Sequence, residues 1–361
     1  MRRRSFLANT AIGAGAAALA VPATAQALPA LNWRLASSFP KSLDTIFGAA
    51  DVFTKRVLQL TGGKFQIRAF AGGEIVPGLG VMDAVQAGTV EMGHTASYYY
   101  FGKDPTFSFD TAMPFGLTSR QQTAWFEGGG GRELMREFFR GYGVINFLGG
   151  NTGTQMGGWY RKPVKSLDDL KGMKIRIAGM AGRVMERMGA VPQQIAGADV
   201  YPALEKGTID AAEWVGPYDD EKLGLAKVAP YYYAPGWWEA GPQLSFFVGI
   251  KEWEKLPKEY QAAIEAASYE AHVVMQAEYD AKNPAALGRL IKAGAKLNYF
   301  SKPIMDAAYK FSTQVMEDEA AKNAKFRKIY EPWKRFRQDQ NTWASVAEAQ
   351  MQNYLISIGR K

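Results

Sequence analysis

Two stretches constrain the fold of this chain most: Ala84–Gly93, AVQAGTVEMG, and Ala203–Ala212, ALEKGTIDAA. Each runs from a helix-like segment through a glycine into threonine, a β-branched residue and an acid. Helix–glycine–strand joints are common, because glycine tolerates the left-handed conformation that ends a helix. One such joint would carry no information, but each of these sits in the middle of alternating strand and helix patterns. The pair predicts two similarly built α/β lobes.

In the first half, LNWRLASSF and FQIRAF alternate like strands, with a helix ending at Gly62-Gly63 between them. GVMDAVQAG is helical and TVEMGHTA extended. In the second half TQMGGWY, MKIRIAG, VPQQIAG and TIDAAEWVG read as strands. SLDDLKG, AGRVMERMGA and ADVYPALEKG between them read as helices. Such alternation implies a largely parallel sheet. HTASYYY and EWVGPYDDE then occupy equivalent strand ends, and ligands of open α/β sheets collect at the carboxyl ends of strands. Two lobes facing one another there make a cleft.

From about Trp253 the pattern turns helical, with one long helix expected to stop at Pro284. Near the end Trp343, Val346, Ala347, Met351, Tyr354, Leu355 and Ile358 recur at helical spacing. That apolar stripe either packs on its own lobe or binds a second subunit. The expected division is 28–150 with about 236–285 for the first lobe and 151–235 with about 286–330 for the second, leaving 331–361 as C-terminal helices for dimerisation. With 361 residues, 47% of them hydrophobic, the chain can fill two cores.

Residues 1–27 read as an exported leader: a basic start, an apolar Ala/Gly/Leu run and a small-residue end. Arg3, Arg4, Phe6 and Leu7 fit the twin-arginine form, which implies a periplasmic protein. Three of the charges behind the formal +8 lie in that leader, and no dense basic patch suggests nucleic acid. There are no cysteines, which excludes disulfides and thiol chemistry, and two histidines, His94 and His272, which leave little for a zinc site or a catalytic triad. His272 lies within the long helix and reads as a packing or surface residue. A metal here would be a hard cation held by oxygen.

Arg176 stands between Ile175 and Ile177 in a short strand. A buried arginine cannot shed its charge and needs an anionic partner. Glu213 and Trp214 end TIDAAEWVG, and Glu239 follows APGWW. A carboxylate among tryptophans is costly to bury without a cation or donor, and a solvated surface position is the alternative. Gln155 is a neutral oxygen donor on an expected strand. SYYYFG and YYYAPGWWE are aromatic clusters that either pack in a core or wall a ligand. EGGGGREL lacks the Gly-Lys-Ser/Thr ending of a phosphate loop and is discarded. No activated nucleophile is visible.

SLDDLKGMKIRIAG, GADVYPALEKGTIDAAEW and YYYAPGWWE together resemble the solute-binding proteins of tripartite ATP-independent periplasmic (TRAP) transporters, in particular those that bind α-keto acids such as pyruvate. The resemblance covers essentially the whole chain after the leader. It implies a two-lobed periplasmic binding protein fold, a non-enzymatic role, and delivery of a small 2-oxo acid such as pyruvate or 2-oxobutyrate to TRAP membrane subunits. By the same resemblance, Arg176 pairs with the substrate carboxylate. A cation is held by Gln155, Glu213, the Trp214 carbonyl and Glu239; Na⁺ is expected, with Ca²⁺ as the alternative. Tyrosines among Tyr98, Tyr99 and Tyr100 close the pocket, with Tyr99 and Tyr100 expected to touch the ligand. Other readings are a binder of 2-hydroxy acids such as lactate, a sugar-acid binder stacking its ligand on Trp237 and Trp238, and a glycosidase-like enzyme using Glu213 and Glu239.

Overall fold

The computed structural model describes residues 28–359; the expected leader lies outside them. Its strands are β1 (Leu31–Ser37), β2 (Phe65–Phe70), β3 (Met92–Thr95), β4 (Val144–Asn151), β5 (Trp159–Tyr160), β6 (Lys174–Arg176), β7 (Val191–Gln193), β8 (Ala211–Ala212), β9 (Tyr231–Ala234), β10 (Gln243–Gly249) and β11 (Lys296–Tyr299). They form two sheets, ordered β2-β1-β3-β10-β4 and β11-β9-β5-β8-β6-β7.

The two repeated stretches occupy the same place in these sheets. β3 lies parallel to β1 and antiparallel to β10; β8 lies parallel to β6 and antiparallel to β5. A short helix precedes each, Val81–Gln86 and Gly197–Glu205. The second sheet repeats the first strand for strand and adds β11 at its edge. β4 and β10 are buried along their whole length, which explains their near-continuous apolar runs. Helix Gly48–Leu60 buries Ala49, Ala50, Phe53 and Val57, one stripe of a 3.6-residue repeat.

The chain crosses between the sheets at 152–158 and again at 235–242, and the two crossings run side by side. Gln155 N–H donates to the Glu239 carbonyl (3.0 Å) and Gly236 N–H to the Gln155 carbonyl (2.9 Å). The Thr154 hydroxyl donates to the Ala240 carbonyl (2.8 Å), and Asn151 Nδ2 to the Gly241 carbonyl (3.0 Å). This paired ribbon is the hinge. Gln155 therefore sits in the hinge and not on a strand, as its sequence suggested; Gly153 (φ +69°) and Gly158 (φ +80°) interrupt the ladder on either side of it.

A helix of 35 residues, Lys258–Lys292, is a spine across both sheets. It packs on Gly48–Leu60 and β4 in the first lobe and on Pro217–Leu223 in the second. It continues through Pro284, contrary to the expected stop. A mid-helix proline costs on the order of 3 kcal/mol; burial of Met275, Tyr279, Ala286 and Leu290 on both sides of it offsets that. Helix Lys302–Lys322 then returns to the second lobe, and Ala324–Val346 buries Phe326, Ile329, Tyr330 and Trp333 against the first. The final helix, Glu348–Ile358, buries none of its residues. No helix of the described residues is long and apolar enough to cross a membrane.

Gly241, in the second crossing, lies where a Cβ would stand 2.0 Å from the Ser119 backbone nitrogen. Backbone cannot swing aside as a side-chain tip can. Gly241→Ala should therefore lower stability by about 1–3 kcal/mol in urea unfolding. Gly80→Ala, which meets nothing within 4 Å, should change it by less than about 0.5 kcal/mol.

Candidate functional site

Parallel pairing of β6 with β8 sets Arg176 opposite Ala212, so Glu213 is the next residue along the neighbouring strand end. Arg176 and Glu213 are both 1% exposed and form an ion pair through Nη1 and Oε1. Arg176 Nη1 also donates to the Glu213 carbonyl (3.0 Å), and Nε to the Ile195 carbonyl (3.1 Å). The guanidinium lies 5.0 Å from the Trp214 ring centroid, a cation–π contact. The buried arginine thus has a counter-charge inside the protein, where its sequence setting suggested one supplied by a ligand.

Glu239, from the hinge, lies close enough to feel the charges of Glu213 and Arg176, and Gln155 is held beside it by a backbone hydrogen bond (3.0 Å); both are buried. Four polar atoms among these residues have no hydrogen-bond partner: Arg176 Nη2, Glu213 Oε2, Glu239 Oε2 and Gln155 Oε1. They amount to one donor and three acceptor oxygens. Orphaned buried polar atoms each cost about 1–3 kcal/mol, more when charged, so such a cluster is not a resting arrangement of a core. Gln155 Nε2 donates to Thr152 Oγ1 (3.2 Å), which leaves the amide oxygen as its unpartnered atom.

The electrostatics agree. Burial pushes the Glu213 carboxyl up to about 7, with Arg176 pulling it down and Asp220 adding to the rise. Burial, then the Glu213 charge, pushes Glu239 well above the ordinary carboxylate range; the Tyr98 hydroxyl and Arg176 act the other way. Two ionised carboxylates beside one guanidinium would leave this site one charge negative; the raised carboxyls mark that cost, which either a proton or a cation relieves.

The first lobe closes the site with the turn Ser97–Tyr100. Tyr98 lies over Gly179, where a Cβ would come within 3.1 Å of its ring. Tyr99 is buried beside Arg176, and its own carbonyl accepts from Gln194 Nε2 of the second lobe (2.7 Å). Tyr100 is a correction. Its hydroxyl accepts from Met82 N–H (2.9 Å) and meets Thr95 Oγ1 (3.2 Å), and its ring packs near Phe107 and Phe247. It belongs to the first-lobe core, and Tyr98 and Tyr99 are the tyrosines that face the acids. Trp237 and Trp238 are not free platforms either. Trp237 stacks on Phe115 (5.4 Å, 15°) and Trp238 packs edge-on against Trp237 (4.8 Å) and Phe300 (6.0 Å).

Behind the site stand two acids not singled out from the sequence, although EWVGPYDDE contains them. Asp220 accepts from Trp159 Nε1 (2.9 Å), Tyr232 Oη (2.7 Å) and Val215 N–H (3.3 Å), and so fixes the backbone after Trp214. Asp219 accepts from Tyr279 of the spine (2.7 Å). Among the described residues no group of three or more His, Cys, Asp or Glu is arranged to hold a metal. Glu213 and Glu239 supply two carboxylates and Gln155 an amide oxygen, hard donors of the kind that suit Na⁺ or Ca²⁺.

Comparison with known proteins gives this geometry a family. Residues 36–323 match the model for bacterial extracellular solute-binding protein, family 7 (DctP). The chain is 49% identical, over 99% of its length and all of the relative's, to a monocarboxylate 2-oxoacid-binding periplasmic protein of Nostoc. A TRAP transporter solute-binding protein of Bordetella bronchiseptica, solved as a mixed-occupancy dimer with calcium and picolinate, superposes with a TM-score of 0.91 at 53% identity, over 92% of this chain and 99% of that one. A TRAP periplasmic solute-binding protein of Pseudoalteromonas atlantica with sodium and pyruvate bound gives 0.87 at 38% identity, over 90% and 98%. This chain belongs to family 7 of the bacterial extracellular solute-binding proteins, the solute-binding components of TRAP transporters.

Proposed function

We propose that the chain captures a small 2-oxo monocarboxylate, pyruvate or a near homologue, in the periplasm and hands it to TRAP membrane subunits without chemically altering it. The observation that carries this reading is the set of four unpartnered buried atoms. A carboxylate takes the free Arg176 Nη2, and a cation takes Glu213 Oε2, Glu239 Oε2 and Gln155 Oε1, with the Trp214 carbonyl added on the family resemblance. A 2-oxo acid offers two oxygens in a five-membered chelate, so it binds guanidinium and ion at once. The named relatives support this: one binds 2-oxoacids, one holds sodium with pyruvate, and one holds calcium with picolinate, itself a five-membered chelator.

Charge counting allows both ions. Ca²⁺ and Arg176 balance two glutamates and a substrate carboxylate, whereas Na⁺ leaves one negative charge that hinge amides can moderate. A 2-hydroxy acid such as lactate chelates in the same way and is the nearest competing solute. The sugar-acid reading loses its support with the enclosed faces of Trp237 and Trp238.

A guanidinium offers a planar fork that an ammonium cannot copy. Arg176→Lys should weaken pyruvate binding at least tenfold by calorimetry, about 1.5–3 kcal/mol for a lost charge-assisted contact. Unchanged affinity in that variant would refute the assignment. Pyruvate recovered intact after prolonged incubation with the native protein agrees with a binder, and any turnover contradicts it.

The last two helices support a homodimer. Trp343 and Val346 at the end of Ala324–Val346, and Met351, Tyr354 and Leu355 on Glu348–Ile358, are each at least 49% exposed, apolar groups that the rest of the chain leaves uncovered. The Bordetella relative is a dimer. Light scattering should give a dimer for the full chain and a folded monomer once residues 347–361 are removed; a monomeric full chain would contradict this.

A further inference from the structure

Away from the four unpartnered atoms, a second charged cluster joins the lobes. Asp44 lies in the first-lobe segment after β1, and Tyr218 and Lys222 lie one turn apart on the second-lobe helix Pro217–Leu223. Asp44 Oδ2 accepts from Tyr218 Oη (3.0 Å), and Oδ1 from Lys222 Nζ. Lys222 also reaches the Ser42 carbonyl (3.5 Å). From the spine, Lys282 Nζ stands 3.9 Å from Asp44 Oδ2, and is bonded to Glu278 (2.7 Å) and Thr45 Oγ1 (3.2 Å). Both ammonium groups lie over the Tyr218 ring, at 4.6 and 4.8 Å. One first-lobe carboxylate therefore gathers two cations and a phenol. Partial burial pushes Asp44 up, yet these partners hold it below its ordinary value.

The second-lobe half of this cluster is rigidly mounted. Tyr218 N–H donates to Asn283 Oδ1 (3.0 Å), Tyr279 to Asp219 (2.7 Å), and Arg289 Nη2 to Glu221 (2.6 Å). The helix follows Glu213, Trp214 and Val215 after the single residue Gly216, and Asp220 accepts from Val215 N–H, tying the helix back to that segment. A pull on Tyr218 and Lys222 is thus a pull on the segment that carries Glu213.

We propose that Asp44 is a positioning residue for solute retention: with Lys222 and Tyr218 it forms a clasp that holds the lobes together and slows release of the bound anion. The proposal rests on the function given above, and it concerns residues that touch neither solute nor ion. Exposed ion pairs are individually weak, so breaking the clasp should speed release about two- to tenfold, and no more.

Stopped-flow tryptophan fluorescence with pyruvate, at fixed saturating Na⁺ or Ca²⁺, reads the dissociation rate. Asp44→Asn and Lys222→Met should each raise it by that factor with association unchanged, and the double variant should be no faster than the faster single one. Choline chloride should accelerate release from the native chain and not from Asp44→Asn. Native rates in Asp44→Asn, or effects that multiply in the double variant, would overturn the clasp. A second readout does not depend on the solute. The chain has no cysteine, so labels at Lys64→Cys and Lys206→Cys report lobe separation without background. In unliganded protein, Asp44→Asn should lengthen that separation, and identical distributions would overturn the proposal. Should the parent fail to bind pyruvate while Asp44→Asn still loosens the labelled pair, the functional reading fails and the clasp stands.

Discussion

The site is organised around one buried ion pair, Arg176 with Glu213. Desolvating both groups costs several kcal/mol each in a real protein, and mutual attraction repays this only with good geometry and further hydrogen bonds. The second sheet supplies both. β6 and β8 run parallel and adjacent, so their carboxyl ends deliver arginine and glutamate side by side. The Glu213 and Ile195 carbonyls take two further guanidinium hydrogens, and Trp214 covers its face. The pair still leaves Nη2 and Oε2 unused. A pair built only for stability would have satisfied them.

The second constraint is that Glu239 and Gln155 come from the crossings between the lobes, which hydrogen-bond to each other. Groups that held an ion there would also fix the hinge angle. The first lobe adds Tyr98 and Tyr99, and Gln194 meets Tyr99 from the other side. On the proposed function, an ion and a chelating anion would bind at the point where all three units, both lobes and hinge, converge. Binding and closure would then become one equilibrium, since each satisfies atoms that the other has removed from water.

Much of the architecture was legible because it is written in period and repetition. The helix–glycine–strand repeat located β3 and β8, but not their pairing: each has one parallel and one antiparallel neighbour, where the alternation of strands and helices implied a largely parallel sheet. The convergence of Arg176, Glu213, Glu239 and Gln155 was not readable from spacing, since they lie on two strand ends and two crossings, and only family resemblance connected them. Tyr100 was misplaced because Ser97–Tyr100 forms a 3₁₀ turn. Three residues per turn send consecutive side chains in three directions, so one of three adjacent tyrosines faces its own core. Pro284 misled because local propensity yields when both flanks are buried. The Asp44 cluster had no sequence signal at all: its members come from a loop, a short helix and the spine.

The central claim is that the buried acids hold a cation which the solute completes. Calorimetric titration of exhaustively desalted protein with pyruvate and with propionate, each with and without Na⁺ or Ca²⁺, tests it most directly. Pyruvate should bind tightly only when a cation is supplied, and propionate, which cannot chelate, should bind weakly in every case. Equal affinity for the two acids, independent of cation, would show that Glu213 and Glu239 hold no ion.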